Sequence, residues 1–207
     1  MTRDSDLTAA AEVVKSGGLV VYPTETVYGL GADALDTAAI EAVFETKRRD
    51  RDNPLSLGVA SVEAALDYVS PSVTEQRFMR TFLPGPVTVV VEGRDPVPDA
   101  LTGGRDRVGV RIPDHDLARE LLERSGPLTA TSANVSGRSS VTDPADLDAE
   151  IRSAAGVILE GGETPGTAST VVDVSRGTIH RRGANADAVE DWLETHRRNS
   201  FGHHSQE

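Results

Sequence analysis

The sequence contains no cysteine, few lysines and no long apolar run. Without cysteine, neither disulfide bonds nor thiolate chemistry is available to this chain. The longest apolar runs, such as residues 19–22 and 87–91, are far too short to cross a bilayer, and the first residues lack a signal-peptide pattern. We therefore expect a cytoplasmic protein that does not enter a membrane.

Positive charge is scarce, and almost all of it is arginine. The chain has 21 basic and 33 acidic residues, a net charge of −12, and only two lysines, Lys15 and Lys47. This composition resembles that of halophiles, because high salt screens repulsion between acidic groups and favours weakly hydrated cations. The net acidity argues against broad, non-specific binding to nucleic acid, which requires many phosphates to be neutralised. A local basic pocket is still compatible with it.

No metal site and no second domain are predicted. The five histidines never fall at the spacing of zinc ligands, and His203 and His204 lie next to each other in a polar C-terminal segment. The length suits one hydrophobic core, and the composition shifts nowhere sharply along the chain. We predict one domain over residues 1–198, followed by a polar, disordered tail at residues 199–207.

The order of helical and extended patterns predicts an α/β (α+β) fold. Apolar periodicity predicts helices at residues 7–14, 36–44, 62–68, 73–82, 117–124, 146–155 and 188–196. Short apolar or β-branched runs predict strands at residues 19–22, 55–59, 87–91, 108–112, 128–131, 157–159, 170–174 and 178–180. Because some strands follow one another without a helix, we expect a mixed open sheet with flanking helices.

The glycines of Gly29-Leu30-Gly31-Ala32-Asp33-Ala34 loosely match a dinucleotide-binding pattern. In a dinucleotide site the glycines follow the first strand directly, whereas residues 23–28 intervene here. We interpret the match as chance. The glycines are better explained by a close approach of the backbone to a ligand or to a neighbouring strand.

The densest positive cluster, Lys47-Arg48-Arg49-Asp50-Arg51, follows a predicted helix and precedes Asn53-Pro54. Cations at a helix C-terminus interact favourably with the helix dipole, and such a cluster is often only a solvated surface. Lysine and arginine are also the side chains that bind phosphate. In an otherwise acidic chain we favour phosphate binding.

A second polar segment, residues 129–137, places hydroxyl groups and an amide at the end of a predicted strand. Such side chains can contact phosphate or substrate, or they can form a hydroxyl-rich turn. A serine nucleophile is disfavoured, because the glycine-x-serine-x-glycine elbow is absent and no histidine is near in sequence.

Several motifs follow one another in a fixed order. They are Pro23-Thr24-Glu25-Thr26-Val27-Tyr28-Gly29-Leu30-Gly31, Lys47-x-Arg49 with Asn53-Pro54-Leu55, Pro84-Gly85-Pro86-x-Thr88, Val110-Arg111, Ser132-Ala133-Asn134-x-Ser136-Gly137, Ser169-Thr170-Val171 and Arg181 before Gly183. The series resembles the YrdC/TsaC threonylcarbamoyl-AMP synthase family over roughly residues 10–185.

The resemblance implies a nucleotide site and an amino-acid site in one concave, basic cavity. Lys47 and Arg49 match the family's catalytic, phosphate-holding pair. Further ATP contacts are implied for Asn53, Ser132, Asn134, Ser140 and Arg181. The threonine pocket is implied for Thr26, Arg111, Ala130 and Ser169, with Arg111 holding the substrate carboxylate.

The implied reaction joins L-threonine, bicarbonate or CO2, and ATP into threonylcarbamoyl-AMP and pyrophosphate, with Mg²⁺ on the ATP phosphates. The product would pass to a tRNA-modifying transferase complex. Many members carry histidine where this chain has Gly58, and many carry proline at the position of Thr131. Longer members have a further C-terminal domain, and we expect the short, single-domain form.

Two alternatives are left open by the sequence. The first is a module that binds double-stranded RNA, or assists ribosome assembly, through the same basic cavity without turnover. The pairing of Arg111 with Thr26 and Ser169 disfavours it, because an RNA groove does not need that pairing. The second is a paralogue acting on another substrate, for which Gly58 is the only hint.

Overall fold

The protein is described by a computed structural model, in which the backbone is described for residues 3–201 and the side chains for residues 3–196. The predicted tail at residues 199–207 lies outside the described residues from 202 onward, together with His203 and His204. The backbone of residues 199–201 continues the last helix. The predicted domain boundary stays a prediction.

Eight α-helices are described. Their bounds are α1 Arg3–Lys15, α2 Thr37–Lys47, α3 Val62–Ala65, α4 Val73–Phe82, α5 Asp99–Thr102, α6 Asp116–Ser125, α7 Ala149–Ala154 and α8 Ala186–Phe201. Local signals set several helix ends. Asp36 caps α2, since its side chain accepts a hydrogen bond from the Ala38 amide at 2.9 Å. Ser72 and Glu75 form a capping box at the start of α4.

Within residues 3–201, nine strands form one mixed sheet. Their bounds are β1 Leu19–Tyr22, β2 Gly29–Gly31, β3 Ser56–Gly58, β4 Val87–Glu92, β5 Arg107–Arg111, β6 Leu128–Ser132, β7 Ala155–Ile158, β8 Thr170–Asp173 and β9 Thr178–Arg181. The strand order is β7-β1-β2-β6-β3-β5-β4-β8-β9. The pairs β1–β7, β3–β5 and β4–β8 are parallel, and the other neighbours are antiparallel. The predicted mixed α/β class is confirmed.

The helices cover the sheet through two apolar clusters. The larger cluster joins α2 and α4 to the central strands, with Phe44 and Phe78 fully buried. In the smaller cluster, Leu7 of α1 and Leu121 of α6 pack near Val20 of β1. In the described part of the chain, no helix is long and apolar enough to cross a membrane.

Four parts of the sequence prediction needed correction, and the first is α5, a single turn that was not predicted. The predicted helix at residues 146–155 is a 3₁₀ turn at Pro144–Asp146 followed by α7, and the helix predicted at 62–68 stops at Ala65. Strand β2 was not predicted, because two of its three residues are glycine, which is depleted in strands. These glycines pass over the ring of Tyr22: a Cβ at Gly29 would lie 2.8 Å from its Cζ. The interpretation of a close approach to a neighbouring strand is therefore confirmed.

Candidate functional site

One face of the sheet forms the floor of a cavity of about 1100 Å³. Residues that alternate along the strands line it, because successive side chains of a strand point to opposite faces. On β5, Arg107, Gly109 and Arg111 line it, whereas Val110 is buried in the core and the buried Val108 only borders the cavity. The same alternation continues on β4 and β8. The sheet therefore presents its arginines to the cavity, together with polar residues and with Val90 and Val171, while most of its aliphatic residues face the core.

Two glycines, Gly58 and Gly109, line the cavity. A Cβ at Gly109 would lie 2.8 Å from Ser56 Oγ and 3.0 Å from Thr88 Cγ2, closer than side chains tolerate. Gly58 also lines the cavity, and a Cβ there would lie 3.3 Å from the carbonyl oxygen of Leu128. A side chain at either position would therefore require its neighbours to shift.

One end of the cavity is built around Arg111, which is 7% exposed. Its Nη2 atom lies 2.8 Å from Glu25 Oε1, which makes an ion pair, and 3.4 Å from Thr26 Oγ1. Burial lowers the pKa of Arg111, and the Glu25 carboxylate opposes this shift. Burial also raises the pKa of the nearby Tyr22 hydroxyl to about 12. Arg111 is thus a charged group fixed by a carboxylate from the β1–β2 loop.

Ser169 connects this end to Arg181. The Nε atom of Arg181 donates to the Ser169 carbonyl oxygen at 3.0 Å, and its Nη2 donates to the Ser169 hydroxyl at 2.9 Å. The same hydroxyl lies 3.0 Å from Thr88 Oγ1. Ser169, expected in the threonine pocket, and Arg181, expected at the nucleotide, therefore share one wall.

Arg49 also lines the cavity. Its Nε donates to the Asn53 carbonyl oxygen at 2.8 Å and its Nη2 to that of Pro54 at 3.1 Å. Burial lowers the pKa of Arg49, and the neighbouring charge of Arg181 lowers it further. Burial and Arg111 act in the same direction on the pKa of Arg181. Arg181 thus lies close enough to Arg49 and to Arg111 to repel each of them.

Neither Arg49 nor Arg181 has a carboxylate partner among the described side chains. In a chain of net charge −12, two such arginines facing one cavity are unexpected unless an anion binds there. This cluster can hold phosphate oxygens, and Arg111 can hold a carboxylate.

The structure brings most of the predicted site residues together. Those that line the cavity are Thr26, Arg49, Asn53, Arg111, Ala130, Ser132, Ser140, Ser169 and Arg181. Lys47 and Asn134 do not line it. Lys47 is 1% exposed beneath the wall, and the Asn134 amide donates to the carbonyl oxygens of Val135 and Arg138 at 2.9 Å.

Sequence reasoning missed two parts of the site. Arg107 lines the cavity and pairs with the buried carboxylates of Glu75 and Asp173 at 2.8 and 3.2 Å. Strand periodicity counted back from Arg111 would have found it. Glu25, by contrast, is 86 positions from Arg111, and no local pattern joins them. Within the described residues, no group of three or more acidic or histidine side chains could hold a metal ion.

The fold and the cavity define a mixed α/β protein whose sheet carries an arginine-lined cavity. The family model Sua5_yciO_yrdC, described as telomere recombination, matches residues 12–183. The chain therefore belongs to the Sua5/YciO/YrdC family.

Individual relatives agree with this assignment. A threonylcarbamoyl-AMP synthase of Pyrococcus abyssi is 43% identical over 80% of this chain and 50% of its own length. One of Bacillus subtilis is 37% identical over 83% of this chain and 51% of its own length. A crystal structure of P. abyssi Sua5 complexed with L-threonine is 38% identical with a TM-score of 0.79, covering 88% of this chain and 55% of that one. The chain thus spans about half the length of these relatives.

Proposed function

We propose that this protein is an L-threonylcarbamoyladenylate synthase, a nucleotidyltransferase that uses L-threonine, bicarbonate or CO2, and ATP. The observation that carries the proposal is that Arg49 and Arg181, which have no carboxylate partner among the described side chains, line the same cavity as Arg111. Relatives named threonylcarbamoyl-AMP synthase, and the threonine complex of a related structure, support the same conclusion.

Each end of the cavity has a role in this proposal. Arg111, with Thr26, Ala130 and Ser169, would hold the carboxylate and side chain of threonine. Arg49 and Arg181, with Asn53, Ser132 and Ser140, would hold the phosphates and the rest of ATP. Lys47 and Asn134 would act on the nucleotide end from beneath its wall. Because Ser169 touches Arg181, the amino acid and the α-phosphate would lie next to each other.

The reaction needs no protein nucleophile. The threonine amine attacks the carbon of CO2, or of bicarbonate with loss of water, and gives a carbamate. A carbamate oxygen then attacks the α-phosphorus of ATP, and the bond to the bridging oxygen breaks as pyrophosphate leaves. The protein aligns two anions that repel each other and stabilises negative charge on the transferring group, which fixed guanidinium groups can do.

Magnesium would neutralise charge on the phosphates when it is bound. The cavity walls supply cations and hydroxyl groups at the nucleotide end, and the described carboxylates do not form a metal cage. We therefore propose that the ion arrives on the triphosphate and that it has no site built by the protein alone. The product would be consumed by a transferase that modifies tRNA.

The test is pyrophosphate release from ATP by the pure protein, with each amino acid in turn, with and without bicarbonate. Release should require threonine and bicarbonate together, because the attacking group is built from both. Serine should be used less well, since one methyl group contributes only about 1–3 kcal/mol. Equal release without threonine or bicarbonate would refute the mechanism. A preference for another amino acid would identify a paralogue, and RNA binding without release would identify a binding module.

A further inference from the structure

Lys47 occupies an unusual place for a residue expected at phosphate. It is the last residue of α2, it is 1% exposed, and it ranks among the largest fully buried side chains of the described residues. Two positions later, Arg49 lines the cavity. The intervening Arg48 has a left-handed backbone, with φ 49°, so the chain turns sharply between them. The turn sends the two cations to opposite sides of the cavity wall.

The ammonium group of Lys47 is bonded to backbone. Its Nζ atom donates to the carbonyl oxygens of Ser132 and Asn134, at 2.6 Å for Asn134. The main chain reinforces the contact, because the Ser136 amide donates to the Lys47 carbonyl oxygen at 2.8 Å. Two of the three ammonium protons are therefore used by one segment, residues 132–136. Among the described side chains, no carboxylate lies within ion-pair distance of Lys47.

The segment that Lys47 holds carries a wall of the cavity. Ser132 ends strand β6 and lines the cavity with its side chain, while its carbonyl oxygen points to Lys47. Beyond it, the Ala133 amide donates to the Tyr28 carbonyl oxygen at 2.8 Å, and the Val135 amide donates to Asp148 Oδ2 at 2.9 Å. Charge-assisted hydrogen bonds are about twice as strong as neutral ones, so Lys47 and Asp148 supply the strong links in this set, and Lys47 alone supplies two of them.

A buried cation is costly, which indicates that this one has a specific task. Burial and the nearby Arg49 lower the pKa of Lys47 to about 8, with a smaller opposing effect from Asp148. An apolar side chain in this space would avoid the desolvation cost of the charge. It could not, however, donate to two carbonyl oxygens of the same turn.

We propose that Lys47 is a positioning residue: it fixes the segment 132–136, and through it the Ser132 side chain, without touching the nucleotide. The inference rests on the proposed function only for the identity of the ligand. A direct phosphate contact would require the ammonium group, which is buried and has one proton left, to reach a ligand through the wall. Its loss would then weaken phosphate binding and leave the ligand-free segment unchanged.

Amide hydrogen exchange of the ligand-free protein separates the two roles. In Lys47→Met, exchange at the Val135 and Ser136 amides should be at least about tenfold faster, while the Val89 and Val110 amides in the central strands keep their rates. Arg49→Ala is the control. It should weaken binding of pyrophosphate, which is the probe used, without altering amide exchange.

If Lys47→Met weakened pyrophosphate binding with unchanged exchange, or changed neither, the positioning role would be refuted. Because no ligand is present, the exchange result stands even if the proposed function is wrong.

A measurement on the unaltered protein covers the case in which Lys47→Met does not fold. Lysine-selective ¹⁵N labelling gives only two ammonium signals, since Lys15 and Lys47 are the only lysines. The Lys47 protons should exchange with water at least about tenfold more slowly than those of Lys15, because their hydrogen bonds to Ser132 and Asn134 are shielded. Equal exchange of the two signals would overturn the proposal.

Discussion

The two ends of the cavity use arginine in different ways. At one end, Arg111 is almost fully buried and is paired with Glu25 at 2.8 Å. At the other end, Arg49 and Arg181 hydrogen-bond only to carbonyl and hydroxyl oxygens, with no carboxylate partner among the described side chains. The first end has its charge balanced within the protein. The second has excess positive charge.

This difference indicates what each end can do. A paired, buried arginine has a fixed orientation, which suits selection of a small carboxylate by geometry. Unpaired arginines provide net attraction, which suits a polyanion whose charge is redistributed during the reaction. If this comparison is correct, replacing Arg49 should mainly lower the rate of reaction. Replacing residues around Arg111 should mainly change stability and the use of threonine.

The largest effect is expected for Arg49→Ala. Removal of a cation that stabilises a transferring phosphoryl group lowers the rate by about 10²–10³-fold. Folding should hardly change, because Arg49 binds only backbone carbonyl oxygens and leaves no buried carboxylate behind. Adenylate formation and thermal unfolding measure the two effects, and Arg49→Lys should restore only part of the rate.

Arg48→Ala is the matched control for Arg49→Ala. Arg48 is exposed and pairs with Glu150 at 3.1 Å, away from the cavity, so its loss should leave the rate nearly unchanged. If both alanine variants kept similar activity, the nucleotide end would have been assigned to the wrong arginine.

Glu25→Gln should act mainly on stability. It leaves Arg111 buried without its counter-ion, and breaking such a pair costs on the order of 3 kcal/mol in the free energy of unfolding. ATP affinity should stay the same, since the change lies at the balanced end. Denaturant unfolding measures the cost, with the exposed Glu123→Gln as a control expected within about 0.5 kcal/mol of the parent. Equal stability of the two variants would show that Arg111 does not need Glu25.

Removing Glu25 and Arg111 together should separate binding from stability. The double variant Glu25→Gln/Arg111→Met leaves no unpaired charge, so it should be more stable than Glu25→Gln alone. It should need roughly 10- to 100-fold more threonine, because hydrogen bonds between charged groups contribute about 1.5–3 kcal/mol. Threonine dependence of turnover and ATP affinity are the measurements. An equal loss of both would move Arg111 to the nucleotide end.

Much of the fold followed from the sequence because its signals are local. Asp36 marks the start of α2, and the apolar runs predicted eight of the nine strands. The resemblance selected the residues that line the cavity. The resemblance did not show that the Lys47 side chain is buried and does not line the cavity. A lysine at a helix end beside two arginines looks solvated in sequence, and only the left-handed turn at Arg48 places it beneath the wall.

The pairing of Glu25 with Arg111 was also beyond prediction. Glu25 lies in the loop between β1 and β2, while Arg111 ends β5. Neither β1 nor β2 is a neighbour of β5 in the sheet. Contacts of this kind depend on how a loop folds over a distant strand, and composition and periodicity carry no information about it. The sequence therefore predicted that Arg111 binds a substrate carboxylate, but it did not predict that Glu25 already neutralises the charge of Arg111.

The smallest expected effect concerns pH and distinguishes Lys47 from the arginines of the cavity. Its pKa is about 8 in the folded protein and 10.5 in an exposed lysine, so between these values the unfolded chain binds more protons than the folded one. The free energy of unfolding should therefore rise with pH in this window, by up to about 1.4 kcal/mol per unit. Arginines stay charged in this window and add no slope.

Urea unfolding of the parent and of Lys47→Met from pH 7 to 10 tests this effect, because the contributions of other groups cancel in the difference between the two proteins. That difference should grow by about 2 kcal/mol in favour of the parent. Parallel curves would mean that Lys47 keeps an ordinary pKa, as a solvated ammonium group would.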